Sequence, residues 1–360
     1  MLRRRSLLAS LLALRAGAPR AADAPPADMP PLRFPADFGA HPRTRTEWWY
    51  LTGALEASEQ TWGFQITFFR VPTSFRGAQA SRFAARELLF AHAAVTDLAA
   101  ARLRHDQRIA RAGFGIAGAS AEDTRVVIGD WRLTRTAAAG ASRYVARAAS
   151  ESGGFAIDLV LDATQPVLLQ GDAGISRKGP RPEQFSGYYS EPQLDARGTL
   201  RVEGRPFAVA GRAWLDHEWS DAVLDPSAVG WDWIGMNLDD GGALMAFRIR
   251  RADGSTLWSG GAHRPRGGVA RNFADGEAVF VPGRTWTSAA TGARYPVEWR
   301  VATPAGTFGV RALLDDQELD SRASTGTIYW EGLSLLVDES GRRVGRGYLE
   351  MTGYAARLVL

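Results

Sequence analysis

The chain has 360 residues, 45% of them hydrophobic and 23% charged, enough for two globular domains with separate cores. It contains no cysteine, which excludes disulfides, thiolate metal centres, a cysteine nucleophile and a lipidated cysteine anchor. The formal charge of +4 is misleading: Arg3, Arg4, Arg5, Arg15 and Arg20 lie in the first 24 residues against a single acid, Asp23. The remainder is balanced, so nucleic-acid binding and polybasic attachment to a membrane lose their main support.

Those first residues read as an export signal. A basic start is followed by a short apolar run, Leu7 to Leu14, too short to span a bilayer. Arg4-Arg5-Ser6-Leu7-Leu8 is similar to a twin-arginine signal, and Ala22-Asp23-Ala24 offers a small-x-small cleavage site. The expected organisation is a signal at 1–24, a proline-rich linker at 25–40, one domain at 41–219 and a second at 220–360. A periplasmic or secreted location follows, with no membrane-spanning segment in the mature chain.

From Thr46 the pattern alternates with period two, the mark of half-buried strands. Glu47-Trp48-Trp49-Tyr50-Leu51 leads through a turn near Ala57–Thr61 to Gly63–Arg70, where Phe64, Ile66 and Phe68 share one face and Gln65 and Thr67 the other. Further alternating runs span Leu88–Asp97, Thr124–Thr134, Ser142–Ala149 and Phe155–Leu161, separated by Gly-, Pro- and Asp-rich joints. Two short helices are expected at Ser81–Leu89 and Asp315–Ala323.

A faint internal repeat organises these strands. Trp48-Trp49-Tyr50 and Phe64–Arg70 correspond to Trp231-Asp232-Trp233 and Ala243–Arg250. Ser186–Ser190 corresponds to Gly326–Glu331, and Trp214-Leu215-Asp216 to Tyr348-Leu349-Glu350, which sets Met351 where the first copy has His217. Two copies of one all-β unit, each the size of an antiparallel barrel with a ligand-sized lumen, explain this. On that alignment the first copy carries the reactive groups and the second a structural or capping role.

The candidate chemistry gathers in Arg212–Gly242, where Trp214, Trp219, Trp231 and Trp233 stand among Asp216, His217, Glu218, Asp232 and Asn237. In regular strand, Asp232 points away from Trp231 and Trp233, and His217 and Trp219 share a face that Asp216 and Glu218 do not. Either the tryptophans or the aspartate therefore line a lumen, and Asp216 and Glu218 remain rival acids. The five histidines come from different strands with no ligand spacing, so neither a metal nor a cofactor is expected. No G-x-S-x-G elbow and no phosphate-binding glycine loop occurs.

The ordered set Glu47–Tyr50 with Thr52-Gly53, Gly63–Gln65 with Phe68–Arg70, Ala91-His92 with Asp97, Ser186–Ser190, Ala213–Trp219, Gly230–Trp233 and Gly347–Glu350 with Thr352–Tyr354 resembles the carotenoid 1,2-hydratase and AttH-like group. The resemblance implies two lipocalin-like antiparallel β-barrels packed together. For the carotenoid branch it implies addition of water to the terminal double bond of an acyclic carotenoid, with His217, Trp219 and an aspartate placed at Asp232 as catalytic residues. Trp231, Trp233, Glu47, Trp49, Gln65, Tyr188, Tyr189 and Asp216 are the expected ligand-binding residues. The export signal sets this chain apart from the carotenoid enzymes.

Hydrating an unactivated alkene takes a protonated acid, a wall that tolerates a carbocation, and one admitted water. An acid in an apolar pocket stays protonated near neutral pH, and tryptophan faces stabilise adjacent positive charge. The competing reading is a non-catalytic periplasmic carrier of a lipophilic molecule serving an ABC-type transporter; a lumen lined only by apolar side chains would favour it. Protein recovered from the periplasm should begin close to Pro25 on N-terminal sequencing. Replacing Arg4 and Arg5 by lysine should leave precursor in the cytoplasm; material beginning at Met1 in the periplasm would refute the signal.

Overall fold

A computed structural model describes residues 31–73, 84–138, 140–222 and 224–358. The expected signal and the start of the linker lie outside the described residues. The described residues are all-β, two lipocalin-like antiparallel barrels packed together, with one short 3-10 turn among them at Ala36–Phe38. No described helix is long and apolar enough to cross a membrane. The helix expected at Asp315–Ala323 is instead turns and the strand Glu318–Ser321; of Ser81–Leu89, 84–86 are irregular and 87–89 open the strand Glu87–Asp97. In both places tertiary pairing overrides a weak local pattern.

In the first sheet, successive neighbours include Arg102–Arg111, Glu87–Asp97, Gln60–Pro72, Thr46–Ala57, Arg205–Ser220, Phe185–Val202, Phe155–Asp162 and Ala141–Ser150. In the second they include Arg271–Phe273, Thr256–Arg264, Ala243–Arg251, Ala228–Leu238, Arg343–Met351, Thr327–Val337, Gly306–Ala312 and Glu298–Thr303. The connectivity is the same in both: an opening strand is paired on one side by its hairpin partner and on the other by the last strand of its unit. The repeat expected from the sequence is thus a repeat of topology.

Period-two alternation sorts every central strand into two faces. In Thr46–Ala57, Trp49, Leu51 and Leu55 enter the interior of the first barrel, where they join Phe64, Ile66, Phe68, Trp131, Tyr144 and Leu215. Ile234, Met236, Tyr295, Trp299, Trp330, Leu349 and Met351 fill the second. The opposite faces meet at a seam of Tyr50, Tyr188, Trp214, Trp233, Met245, Phe247, Leu333 and Tyr348. Gly63 lets the sheets come close there, since a Cβ on it would lie 2.7 Å from the Tyr348 hydroxyl.

Each barrel interior also holds one buried ionic knot. In the first, Glu47 accepts from Arg70 Nε at 2.7 Å, from His41 Nδ1 at 2.8 Å and from His217 Nε2 at 2.9 Å, while His41 stacks on Trp219. Burial works against ionising Glu47, but the His217 and His41 hydrogen bonds outweigh it and hold the carboxyl far below its usual range. In the second, Asp232 accepts from Arg248 Nε at 2.7 Å and from the Tyr354 hydroxyl at 2.9 Å, with Arg250 Nε at 3.6 Å. Asp232→Asn strips a carboxylate from two buried guanidiniums and should cost about 3–5 kcal/mol in denaturant unfolding, the usual cost of breaking a buried ion pair. The double variant Asp232→Leu with Arg248→Met should recover much of that loss.

Candidate active site

A cavity of about 750 Å³ opens along the seam between the sheets, not inside either barrel, whose interiors are packed with side chains. Alternation explains this correction to the expected lumen: Trp49, Leu51 and Phe64 point inward, and Trp48, Tyr50 and Gln65 point to the seam. The first unit supplies Trp48, Tyr50, Gln65, Thr67, Phe69, His92, Tyr188, Asp216 and Glu218. The second supplies Trp231, Trp233, Phe247, Ile249, Tyr329, Glu331 and Glu350. Both copies therefore contribute reactive groups, and the expected division of labour between them does not hold.

Three carboxyl groups stand in this aromatic cavity with raised affinity for protons. Glu331 and Glu350 are directly opposite each other on neighbouring antiparallel strands, so ionising both sets like charges face to face. Burial, reinforced by the Glu350 carboxylate, drives Glu331 well above the ordinary range. Burial also pushes Glu350 up to about 7 despite a 3.1 Å hydrogen bond from Trp231 Nε1, with Asp216 and Glu218 adding to the rise. Glu350 is partly exposed, whereas Glu331 is 2% exposed. Burial raises Asp216 to about 7 as well, although it accepts from Ser190 Oγ at 2.5 Å, the Tyr188 hydroxyl at 2.6 Å and Trp214 Nε1 at 2.6 Å. Asp216 and Glu350 hold equivalent places in the two units, each beside its opening strand, opposite Tyr50 and Trp233 respectively.

The surrounding wall suits positive charge. Lys178 Nζ lies 4.6 Å from the Tyr188 ring centre and 4.4 Å from that of Phe247, and pairs with Glu218 at 2.9 Å. Across the seam, Trp233 Nε1 donates to the Tyr188 hydroxyl at 3.1 Å. On the far wall His92, pulled down to about 3 by burial, is a neutral imidazole bonded to Tyr329 at 2.8 Å and Ser324 at 2.9 Å.

Of the expected site residues, Gln65, Tyr188, Asp216, Trp231 and Trp233 line the cavity. Asp232 lies on the opposite face of its strand from Trp231 and Trp233, so the tryptophans and not the aspartate face the cavity, as period-two geometry requires. His217, Trp219, Glu47, Trp49 and Tyr189 sit together at the end of the first barrel, His217 0% exposed between Glu47 and Tyr189. His41, Glu47 and His217 form a group with the composition of a metal site, but Arg70 occupies the second Glu47 oxygen and neutralises it. Sequence reasoning missed Glu331 and Glu350. The repeat carried the signal, because Glu350 is the counterpart of Asp216.

Residues 25–354 match the profile of the AttH-like family. An AttH-like protein of known structure from Nitrosomonas europaea is 47% identical, superposes with a TM-score of 0.84, and the match covers 92% of this chain and 99% of that one. Kievitone hydratase from Fusarium solani subsp. phaseoli is 24% identical over 215 residues, 57% of this chain and 58% of that protein, so the match spans little more than half of that relative. The crystal structure of kievitone hydratase from Nectria haematococca shares the fold, with a TM-score of 0.70 at 16% identity over 91% of this chain and 94% of that one. Fold, motif order and family profile agree: the chain belongs to the AttH-like family.

Proposed function

We propose that this protein is an exported hydratase that adds water across a carbon–carbon double bond of a lipophilic, isoprenoid-type substrate held in the seam cavity. The observation that carries the reading is the set of proton-retaining carboxyls in an aromatic-walled cavity. A protonated carboxyl there can protonate an alkene, and the wall can hold the resulting tertiary cation. Glu350 is the acid, because it is open to the cavity and burial, with Asp216 and Glu218 nearby, keeps its proton affinity high. Trp231, Trp233, Tyr188 and Phe247 flank the cation. Kinship with a protein named kievitone hydratase supports the reaction class.

The carrier reading, with an ABC-type transporter as partner, calls for a purely apolar lining, and the carboxyl group at the seam counts against it. His217, Trp219 and Asp232 act in this reading as the frame that keeps the opening strands in register, beneath the cavity wall. A pool of acyclic isoprenoids and prenylated phenols incubated with the protein in deuterated water, followed by mass spectrometry, tests the proposal. Products should gain one water with deuterium on carbon; unaltered alkenes without deuterium would refute it.

Glu350→Gln should lower turnover by about 10²–10⁴, the span for losing an acid–base group, and leave thermal unfolding within a few degrees of wild type. The acid form does the work and titrates near 7. kcat should therefore be level below that pH and fall about tenfold per unit above it, with the midpoint belonging to the Glu331–Glu350 pair. A profile that rises with pH would assign these carboxyls a basic role.

A further inference from the structure

The far wall of the cavity carries a chain of hydrogen bonds whose direction can be fixed from one end. Gln107 Nε2 donates to the backbone carbonyl of Asp320 at 2.8 Å, and a carbonyl only accepts, so Gln107 Oε1 is the atom facing Ser324. Ser324 Oγ therefore donates to Gln107 Oε1, at 2.6 Å, and must accept from His92 Nε2 at 2.9 Å. With its proton on Nε2, neutral His92 accepts at Nδ1 from the Tyr329 hydroxyl at 2.8 Å. Tyr329, having donated, accepts from Gln65 Nε2 at 3.2 Å, and the second Gln65 N–H goes to Thr67 Oγ1 at 2.8 Å. Both amide hydrogens of Gln65 are thereby committed. Its Oε1 is left as a buried acceptor that no protein group pairs with, on a side chain 2% exposed.

Two other buried atoms of the same cavity share that condition: the Tyr50 hydroxyl and Glu331 Oε1. Tyr50 and Glu331 are neighbours whose protonation is coupled, the Tyr50 hydroxyl facing the Glu331 carboxyl at a separation beyond ordinary hydrogen-bond length. A buried polar atom without a partner is costly, and these three border one space: Gln65 bonds Tyr329, which shares a strand face with Glu331 two residues on, and Glu331 is coupled to Tyr50. A water or hydroxyl oxygen has the donor and acceptor set that complements them.

We infer that Gln65 Oε1, Tyr50 and Glu331 form a hydroxyl site that holds the attacking water of the hydration, with His92 and Tyr329 as positioning residues. The inference rests on the hydratase reading and adds the nucleophile to it. Protonation of the alkene by Glu350 leaves a cation and a Glu350 carboxylate. The water oxygen donates a lone pair to the cationic carbon and forms the C–O bond. Its surplus proton passes to a Glu331 oxygen while Glu331 hands its own proton to Glu350 opposite, so both carboxyls return to their starting state and one water has been added. Gln65 accepts the other hydrogen of the water, which aims a lone pair at the cation; an acceptor there orients the nucleophile without competing for the cation as a charged group would.

The test has two arms. Crystals of the mature protein, and of Gln65→Leu, are compared at a resolution that shows ordered water. An oxygen within hydrogen-bond distance of Gln65 Oε1 and Glu331 in wild type, lost in Gln65→Leu, is the expected result. A well-ordered wall with no oxygen there, or an oxygen belonging to a co-purified organic molecule identified by mass spectrometry, overturns the water site. In the second arm, the same isoprenoid and prenylated-phenol pool is incubated in deuterated water. Within the deuterated products of each protein, Gln65→Leu should lower the ratio of hydrate to isomerised alkene by about tenfold, the effect of one lost hydrogen bond. His92→Phe should shift the ratio in the same direction and His92→Gln should restore it. No deuterium in wild-type products sinks the hydratase reading and leaves the crystallographic arm to decide the hydroxyl site. Unchanged hydrate fractions in an active Gln65→Leu sink the water role alone.

Discussion

Two glutamates directly opposite each other on antiparallel strands cannot both be ionised cheaply where little water reaches them. Glu331 and Glu350 are such a pair, and the seam around them is lined by tryptophan, tyrosine and phenylalanine. Like-charge repulsion and desolvation act in the same direction, and both favour retained protons. Proton retention near neutrality is the property on which any acid chemistry at this seam depends. It requires contributions from both units, because Asp216 across the seam adds its own charge to the balance at Glu350.

The duplicated topology supplies this arrangement from ordinary parts. Each unit packs one face of its central strands into its own interior and offers the other face to its twin. The knots around Glu47 and Asp232 keep to the inner faces, pinning neighbouring strands and securing the register on which the outer faces rely. A slip of one residue in Ala228–Leu238 would put Asp232 at the cavity wall in place of Trp233. His217 and Trp219 belong to this inner frame: His217 bonds Glu47 and Trp219 stacks on His41.

The all-β class, the hairpin rhythm and the pairing of the two units were legible in the sequence because they rest on period-two alternation and on matched motifs. Alternation also gave the correct separation of Trp231 and Trp233 from Asp232. Which of the two faces lines the cavity was not legible, since both carry aromatic and charged residues in this chain. Trp48 and Tyr50 face the seam while Trp49 faces the core, and composition does not distinguish them. An arginine partner for Glu47 was an open reading, but the partners themselves were not legible: His41 and Arg70 reach Glu47 through a loop and a hairpin, contacts of tertiary origin. Glu331 was hidden because its role comes from Glu350 on the adjacent strand, a pairing that spacing along the chain does not reveal.

The energetic cost of the carboxyls also bears on whether this cavity stores a molecule or transforms one. Asp216 stands at about 7 against an ordinary 3.8. Above that pH its ionisation costs the fold on the order of 4 kcal/mol, by the linkage between a raised carboxyl pKa and stability. That is a large part of the margin by which a domain stays folded. A storage cavity would be more stable with an asparagine or leucine at Asp216 and with neutral residues at 331 and 350, and would lose no affinity for an apolar guest. Acid catalysis requires such groups and gains nothing from their removal. At about 750 Å³ the cavity is of the size that encloses a molecule of moderate size or one end of a longer one. Asp216, Glu331 and Glu350 all stand on its wall.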